Sequence, residues 1–167
     1  IVGVVTLTGV GFRLGFVVIQ TAGDISNFFS NIWPISFFSF EDLRLFFSLV
    51  LIAISCIIMG AGIPTTATYI ILVAVAAPAL AQLGIEPLVA HFFVFYYGVL
   101  ADITPPVALA AYAASGIAKS NPFRTGNTAF RLGIAKALVP FVFVYSPSLL
   151  LITGEFQINQ LIITLIG

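Results

Sequence analysis

Two short patches that would break a helix interrupt long apolar stretches, and they hold the residues best suited to chemistry. The first runs from Met59 to Thr66 and reads Met-Gly-Ala-Gly-Ile-Pro-Thr-Thr. The second runs from Leu100 to Pro106 and reads Leu-Ala-Asp-Ile-Thr-Pro-Pro. In a membrane protein, such breaks are tolerated only where they are buried in protein or line a cavity. Two of them close together in a sequence indicate the binding site of a transporter.

The residue types at the two breaks could bind a cation and an anion side by side. Helices ending near Met59 and Leu100 would direct unpaired carbonyl oxygens to the middle, and helices beginning near Thr65 and Pro105 would direct N–H groups there. Carbonyl and hydroxyl oxygens suit Na⁺, whereas helix N-termini suit a carboxylate. The candidate Na⁺ ligands are Gly60, Thr65, Thr66 and Thr104. The further candidates for ion or substrate binding are Gly62, Pro64, Asp102, Pro105, Pro106 and Tyr112.

Each break also has a specific backbone expectation. Thr104 is placed to N-cap a helix that begins with Pro105 and Pro106, because proline lacks only an N–H that would be unpaired there anyway. Gly60 and Gly62 permit backbone conformations that expose carbonyl oxygens. Between the two breaks, Gly84 is expected to stop one helix and Pro87 to start the next. The structural alternative is that both patches are simple kinks, with threonines that bond back to the helix.

The composition indicates an all-α integral membrane protein. Of the 167 residues, 60% are hydrophobic and 7% are charged, whereas soluble domains carry about 25% charged residues. The net charge of zero argues against nucleic-acid binding. No enzyme motif is present, so no catalytic residue and no resident cofactor are expected. The single Cys56 and the isolated His91 lack metal-ligand spacing and are interpreted as packing residues.

The order of apolar and polar stretches predicts seven segments. These are a transmembrane helix at 1–22, an outer interfacial segment at 23–42, a helical hairpin at 43–83 with its tip at 59–66, a discontinuous helix at 84–118 broken at 101–106, a basic cytoplasmic loop at 119–136, a transmembrane helix at 137–152, and the start of a truncated segment at 153–167. The chain begins without methionine and ends in an apolar run too short to span, so we expect a fragment of a longer polypeptide.

The topology follows from the basic stretch 119–136. It holds four of the six basic residues and no acidic one, so the positive-inside rule places it in the cytoplasm. The hairpin then enters from the outside. Its tip carries no charge, which favours a re-entrant hairpin over two full spans. The chain is expected to cross its membrane several times.

The segments from Met59 to Ile70 and from His91 to Tyr112 resemble the large membrane subunit of tripartite ATP-independent periplasmic (TRAP) transporters. The second segment, His-Phe-Phe-Val-Phe-Tyr-Tyr-Gly-Val-Leu-Ala-Asp-Ile-Thr-Pro-Pro-Val-Ala-Leu-Ala-Ala-Tyr, is similar to the branch in which the small and large subunits are fused. That branch commonly works with a TAXI-type solute receptor. The resemblance covers about Ser55 to Leu151.

This resemblance implies an elevator transporter in which a periplasmic binding protein delivers an organic acid and a Na⁺ gradient drives uptake. It also implies a location in the cytoplasmic (inner) membrane of a bacterium or archaeon. Met59 to Thr66 would be the tip of the second hairpin, and Asp102 to Pro106 the break of the second discontinuous helix. The partners implied are the binding protein, the rest of the same permease, the lipid bilayer and the organic acid. Two alternatives stay open: a receptor-independent divalent-anion/sodium symporter, and a membrane scaffold that does not transport.

Overall fold

The structure, a computed structural model, describes residues 7–32 and 39–150, and these residues form helices joined by short turns. The α-helices are α1 (Val10–Ile32), α2 (Phe40–Gly60), α3 (Thr65–Gln82), α4 (Pro87–Ala101), α5 (Leu109–Ile117), α6 (Pro122–Gly133) and α7 (Val139–Tyr145). Two short 3₁₀ helices follow α6 and α7, at Ile134–Leu138 and Pro147–Leu150. The expected all-α class is confirmed.

Three stretches of the described chain are long and apolar enough to cross a membrane. Two are the single helices Phe40–Gly60 and Thr65–Gln82, and the third, Pro122–Tyr145, joins α6, a 3₁₀ turn and α7. Helix α4 is equally apolar but shorter. These lengths and compositions, together with many large apolar side chains on the outside of the bundle, are those of a multi-pass integral membrane protein.

Local sequence signals fix the ends of the central helices. Ser39 and Asp42 form a capping box at the start of α2, in which the Ser39 hydroxyl accepts from the Asp42 N–H at 3.1 Å. After α3, Gly84 adopts φ +77°, which glycine takes without strain. Pro87 then opens α4 as its first residue. The helix stop at Gly84 and the helix start at Pro87 were both expected from the sequence and are confirmed.

The first helix differs from the expected boundary at residue 22. Helix α1 spans Val10–Ile32 and so runs through Gly23 and Asp24 into the stretch expected to be interfacial. Its Gly15 sits directly on α3, where a Cβ atom would lie 2.8 Å from the Ala79 Cβ atom. That close approach lets α1 pack against α3. Residues 1–6 and the aromatic residues between 33 and 38 lie outside the described part.

The core lies where α2, α3 and α4 meet. Its fully buried members include Leu49 of α2, Leu72 and Leu80 of α3, and Phe93 and Val94 of α4. Helix α7 closes one side of this cluster through Phe141, whose ring centroid lies 5.8 Å from that of Phe93. Such packing fixes α2, α3 and α4 relative to one another.

The C-terminal part departs from the expected loop and span. The stretch 119–136 was expected to be a loop, but α6 occupies Pro122–Gly133 and begins with Asn121, whose side chain accepts from the Arg124 N–H at 3.1 Å. The expected helix at 137–152 is divided, because α7 ends before Pro147, which cannot continue its hydrogen bonding. Residues from 151 onwards, including the segment 153–167, lie outside the described residues.

Tyr97 provides a test of how α4 is held. Its ring is almost fully buried, and its hydroxyl donates to the Ala137 carbonyl at 2.7 Å. Replacing Tyr97 with phenylalanine leaves that carbonyl without its partner, so we expect a loss of about 1–3 kcal/mol of stability. Thermal unfolding in detergent measures it. The matched control is Tyr96→Phe, because the Tyr96 hydroxyl has no hydrogen-bond partner in the part of the chain described. Equal melting temperatures for both variants would contradict the assignment.

Candidate binding site

The hairpin tip is a four-residue turn between α2 and α3. Helix α2 ends at Gly60, and α3 begins at Thr65 with Pro64 in the position before it. Gly62, in the middle of the turn, has φ +82°, so the expectation that glycine is needed here for its backbone freedom is confirmed. The tip is therefore a short turn, and the helices on both sides of it are regular up to Gly60 and from Thr65.

The side chains of the tip divide into an outer and an inner set. Thr65 and Thr66 are exposed, whereas Thr68 is fully buried. The Thr68 hydroxyl donates to the Ile63 carbonyl at 3.0 Å, which ties the first turn of α3 back to the turn before it. Thr65 and Thr66 are thus available to a ligand, while Thr68 holds the tip in shape.

The N-terminus of α3 is open at this tip. The first hydrogen bond of the helix runs from the Thr68 N–H to the Pro64 carbonyl at 2.9 Å. The N–H groups of Thr65, Thr66 and Ala67 precede it, and within the described residues no side chain caps them. Unpaired N–H groups and the positive end of a helix dipole attract an anion. The start of α3 therefore presents three N–H groups without a helical partner, the kind of donor that the expected anion site needs.

The broken helix has a longer interruption than the sequence suggested. Helix α4 ends at Ala101 and α5 begins at Leu109, so residues 102–108 form the break rather than 101–106. Ala108 occupies the position before α5 with φ 36°, and it offers no side-chain cap. Pro105 and Pro106 lie inside the break, ahead of the helix that they were expected to open.

The expected N-cap at Thr104 is wrong. Its hydroxyl donates backwards to the Leu100 carbonyl at 2.7 Å, and its own carbonyl accepts from the Ala108 N–H at 3.1 Å. Threonine hydroxyls compete for the carbonyl four residues earlier whenever the chain behind them is helical. Thr104 therefore terminates α4 and does not begin α5. This is the behaviour that the alternative interpretation as a kink predicted for threonine.

Most of the helix-end carbonyls that were expected to be unpaired accept local hydrogen bonds. The Leu100 and Ala101 carbonyls accept from the N–H groups of Ile103 and Thr104 at 3.2 and 3.1 Å, and the Gly60 carbonyl accepts from Ile63 at 3.3 Å. The expectation of unpaired carbonyls is wrong for these three residues. Each carbonyl has two lone pairs, so the Ala101 and Gly60 carbonyls can still offer one to a cation. The Leu100 carbonyl cannot, because it also accepts from the Thr104 hydroxyl.

The tip and the break lie against each other. A Cβ atom on Gly60 would be 2.9 Å from the Thr68 Cγ2 atom and 3.0 Å from the Ala101 Cβ atom. A Cβ atom on Gly62 would be 3.3 Å from Val107 Cγ1, inside the break. The fold therefore brings together two patches that are separated along the chain by the whole of α3 and α4. Gly98 supports this contact, since its missing side chain makes room for Thr68 and Leu72.

Tyr112 and α6 support the break from behind. The Tyr112 hydroxyl donates to the Pro106 carbonyl at 2.6 Å, so this tyrosine, a candidate substrate contact, already has a partner within the break. Its ring rests on α6, where a Cβ atom on Gly126 would be 2.8 Å from Tyr112 Cε1. Gly133, at the other end of α6, makes an equally close approach to Ile103. Helix α6 therefore packs along the break, from Ile103 to Ala108.

The sequence reasoning missed several of these positions. Thr68, Gly98, Val107, Gly126 and Gly133 were not among the candidate residues, although each takes part in the contact or supports it. Gly126 and Gly133 are about two helical turns apart, so they share one face, and this spacing could have identified α6 as a closely packed helix. The remaining residues carry no signal in the sequence, because their role depends on what lies opposite.

Two helix-breaking patches held in contact inside an apolar helical bundle are typical of membrane permeases of the solute-transporter class. A comparison with family models gives the family itself. The model "Tripartite ATP-independent periplasmic transporter, DctM component" matches residues 1–158, and the chain belongs to this family. Comparisons with curated proteins and with solved structures gave no match.

Membership in this family confirms the resemblance to the large membrane component of TRAP transporters. The chain is a non-enzymatic permease component of a solute transport system that depends on a periplasmic binding protein. The family also implies the inner membrane of a prokaryotic cell. A carrier that works without a receptor and a scaffold that does not transport are both disfavoured by this assignment.

Proposed function

We propose that this permease carries organic acids into the cell together with Na⁺, and that the contact between the hairpin tip and the break of the discontinuous helix is where both bind. The observation that carries the proposal is the close approach of Gly60 to Ala101 and of Gly62 to Val107. It puts the open N-terminus of α3 beside the C-terminus of α4. Donors for a carboxylate and oxygens for a cation are then neighbours, as coupled uptake requires.

The cation half of the proposal draws support from Asp102. This carboxylate lies at the C-terminal end of α4, where the helix dipole is negative. An acid at that end is unfavourable without a positive charge nearby, and the described residues place no ion pair on Asp102. A Na⁺ ion held by hydroxyl and carbonyl oxygens around Thr104 would supply that charge. The Thr65 and Thr66 hydroxyls complete the candidate ligands.

The organic acid would meet the N–H groups at the start of α3. It would be delivered by a TAXI-type binding protein, in keeping with the similarity to the fused permease branch. We further propose that α2 and α3 form a re-entrant hairpin that moves with the broken helix as one elevator-type transport unit. The apolar core shared by α2, α3 and α4 supports such a unit, because it makes the tip and the break parts of one rigid body.

Alanine substitutions of the three candidate threonines test the Na⁺ assignment. In the intact permease with its binding protein, in proteoliposomes, we expect Thr65→Ala, Thr66→Ala and Thr104→Ala each to raise the half-saturating Na⁺ concentration about fivefold to tenfold, the worth of one oxygen contact. The matched control is Thr21→Ala on α1. The Thr21 hydroxyl donates to the Val17 carbonyl four residues back, as that of Thr104 does to Leu100, but it lies outside the site.

Wild-type Na⁺ activation in all three variants would contradict the proposed ion site. The substrate class is tested in the same vesicles by competition. A four-carbon dicarboxylate, a keto acid and an amino acid are compared with the uncharged amide of each. Competition by the amides as strong as that by the acids would exclude a site that recognises carboxylates at the N-terminus of α3.

A further inference from the structure

The charged side chains of the described chain are all basic after the break. Glu41 and Asp42, at the start of α2, line a common cavity with Gln82 at the end of α3, and Glu86 follows in the next turn. The chain then returns through α4, passes the break and reaches the basic residues beyond α5. In the described chain after Asp102 there is no acidic side chain, whereas four basic ones follow, at Lys119, Arg124, Arg131 and Lys136.

Helix α6 presents these charges on a distinct face. Its buried positions, Gly126 and Gly133, face α5 and the break. Arg124 and Arg131 are about two helical turns apart, so they share a face, and both are exposed on the side away from the glycines. The only ion pair among the described residues joins Arg44 to Glu41, so neither arginine of α6 has an acidic neighbour within the described chain.

Large apolar side chains flank the two arginines. Phe123 is 60% exposed and Leu132 is 79% exposed, on opposite sides of the arginine face. A helix with cations outward and exposed apolar residues along its edges has the composition of an interfacial helix, which lies in the headgroup region of a bilayer. Arginine in the hydrocarbon interior is costly, which disfavours α6 as the first half of a span.

Hydroxyl and amide groups lie beside the arginine face. Ser120, Asn121, Thr125 and Thr128 line an open groove of about 570 Å³ together with Arg124. The turn before α6 is also open to its surroundings, since every residue from Gly116 to Arg124 is exposed. The groove thus combines a cation with hydrogen-bonding groups, as a phosphate headgroup requires.

We propose that α6 is an interfacial helix whose Arg124 and Arg131 bind the phosphate headgroups of anionic phospholipids in the adjacent leaflet, with Phe123 and Leu132 inserted among the acyl chains. The charge complementarity between this acid-free surface and an anionic leaflet selects lipid as the occupant. Because α6 packs through Gly126 on Tyr112, which holds the Pro106 carbonyl, lipid binding on its outer face anchors the element behind the break. The proposal does not depend on which ion or acid is transported.

Native mass spectrometry of the intact permease in neutral detergent tests this lipid surface. The probes are dioctanoyl-phosphatidylglycerol and dioctanoyl-phosphatidylcholine. We expect the wild type to bind the anionic lipid more tightly than the neutral one. Arg124→Gln with Arg131→Gln should weaken binding of phosphatidylglycerol about 25-fold, at about fivefold for each cation. Arg124→Lys with Arg131→Lys should keep most of the affinity, because the attraction between the helix and an anionic lipid depends mainly on charge.

The control is Arg44→Gln, which removes an arginine from the acidic end of the molecule, where it pairs with Glu41 at 3.8 Å. It should leave phosphatidylglycerol binding unchanged. Unaltered binding in the double glutamine variant, or an equal loss in Arg44→Gln, would overturn the proposal. So would displacement of phosphatidylglycerol by free glycerol 3-phosphate at similar concentrations, because the site would then recognise a soluble anion. Thermal unfolding of each variant shows whether a loss of binding reflects a loss of fold.

Discussion

Replacing Gly60 with valine should reduce uptake by the intact permease at least about tenfold. The missing side chain of Gly60 is what lets the tip touch the broken helix, and even a Cβ atom would be 2.9 Å from Thr68 and 3.0 Å from Ala101. Both neighbours are buried, so neither can move aside without disturbing the core. Overpacking of this kind costs about 1–3 kcal/mol, and each 1.4 kcal/mol is a factor of ten in the population of the native arrangement. Solute uptake into proteoliposomes measures the effect.

The matched control for this variant is Gly23→Val. Gly23 also lies within a long helix, α1, but a Cβ atom there would meet nothing within 4 Å. Both substitutions add the same β-branched side chain to a helix, so their common propensity cost cancels. Equal activity of the two variants would show that the contact between tip and break is not needed for transport. That result would favour the alternative of a membrane scaffold that does not transport.

Replacing Gly133 with valine should have a comparable effect from the other side of the break. A Cβ atom on Gly133 would overlap the Ile103 side chain, which lies in the break and packs against the core. We expect α6 to be pushed away from the break, at a cost of about 1–3 kcal/mol and with an equally large fall in uptake. Because Asp102 and Thr104 adjoin Ile103, the half-saturating Na⁺ concentration should rise as well. Uptake measured at several Na⁺ concentrations separates the two effects.

Gly116→Val controls for the helix itself. Gly116 belongs to α5, close to its C-terminal end, and a Cβ atom there would meet nothing within 4 Å. Its uptake and Na⁺ dependence should be those of the wild type. If Gly133→Val matches Gly116→Val in both measurements, α6 does not support the break, and the close approach at Ile103 has no functional weight.

Several ends of the helices could be predicted from the sequence. Gly84 and Pro87 act through their own backbone chemistry, a positive φ and a fixed φ without an N–H, so their roles need no partner. The same holds for Gly62 at the tip. Helix boundaries that depend on such residues were predicted within a residue or two. The two patches chosen as the candidate site are in contact in the structure, and their role in binding stays a prediction.

Predictions that depended on competing hydrogen bonds were less successful. Thr104 could cap the following helix or bond back to Leu100, and the sequence contains both options. The structure chooses the second because α5 begins only at Leu109, beyond the reach of a cap at Thr104. The stretch 119–136 was assigned by its charge, and charge indicates where a segment lies in a membrane system and not whether it is helical.

The sequence by itself determined the class of protein and the location of its breaks. With 7% charged residues the chain cannot cover a water-facing surface, and glycine and proline mark the turn at 61–64 and the interruption at 102–108. Only the tertiary structure decided that Gly60 meets Ala101, that Gly62 meets Val107 and that α6 lies behind the break. Composition and backbone preference are properties of single residues and short segments. A contact between distant segments depends on how whole helix faces pack, and no single stretch of sequence encodes it.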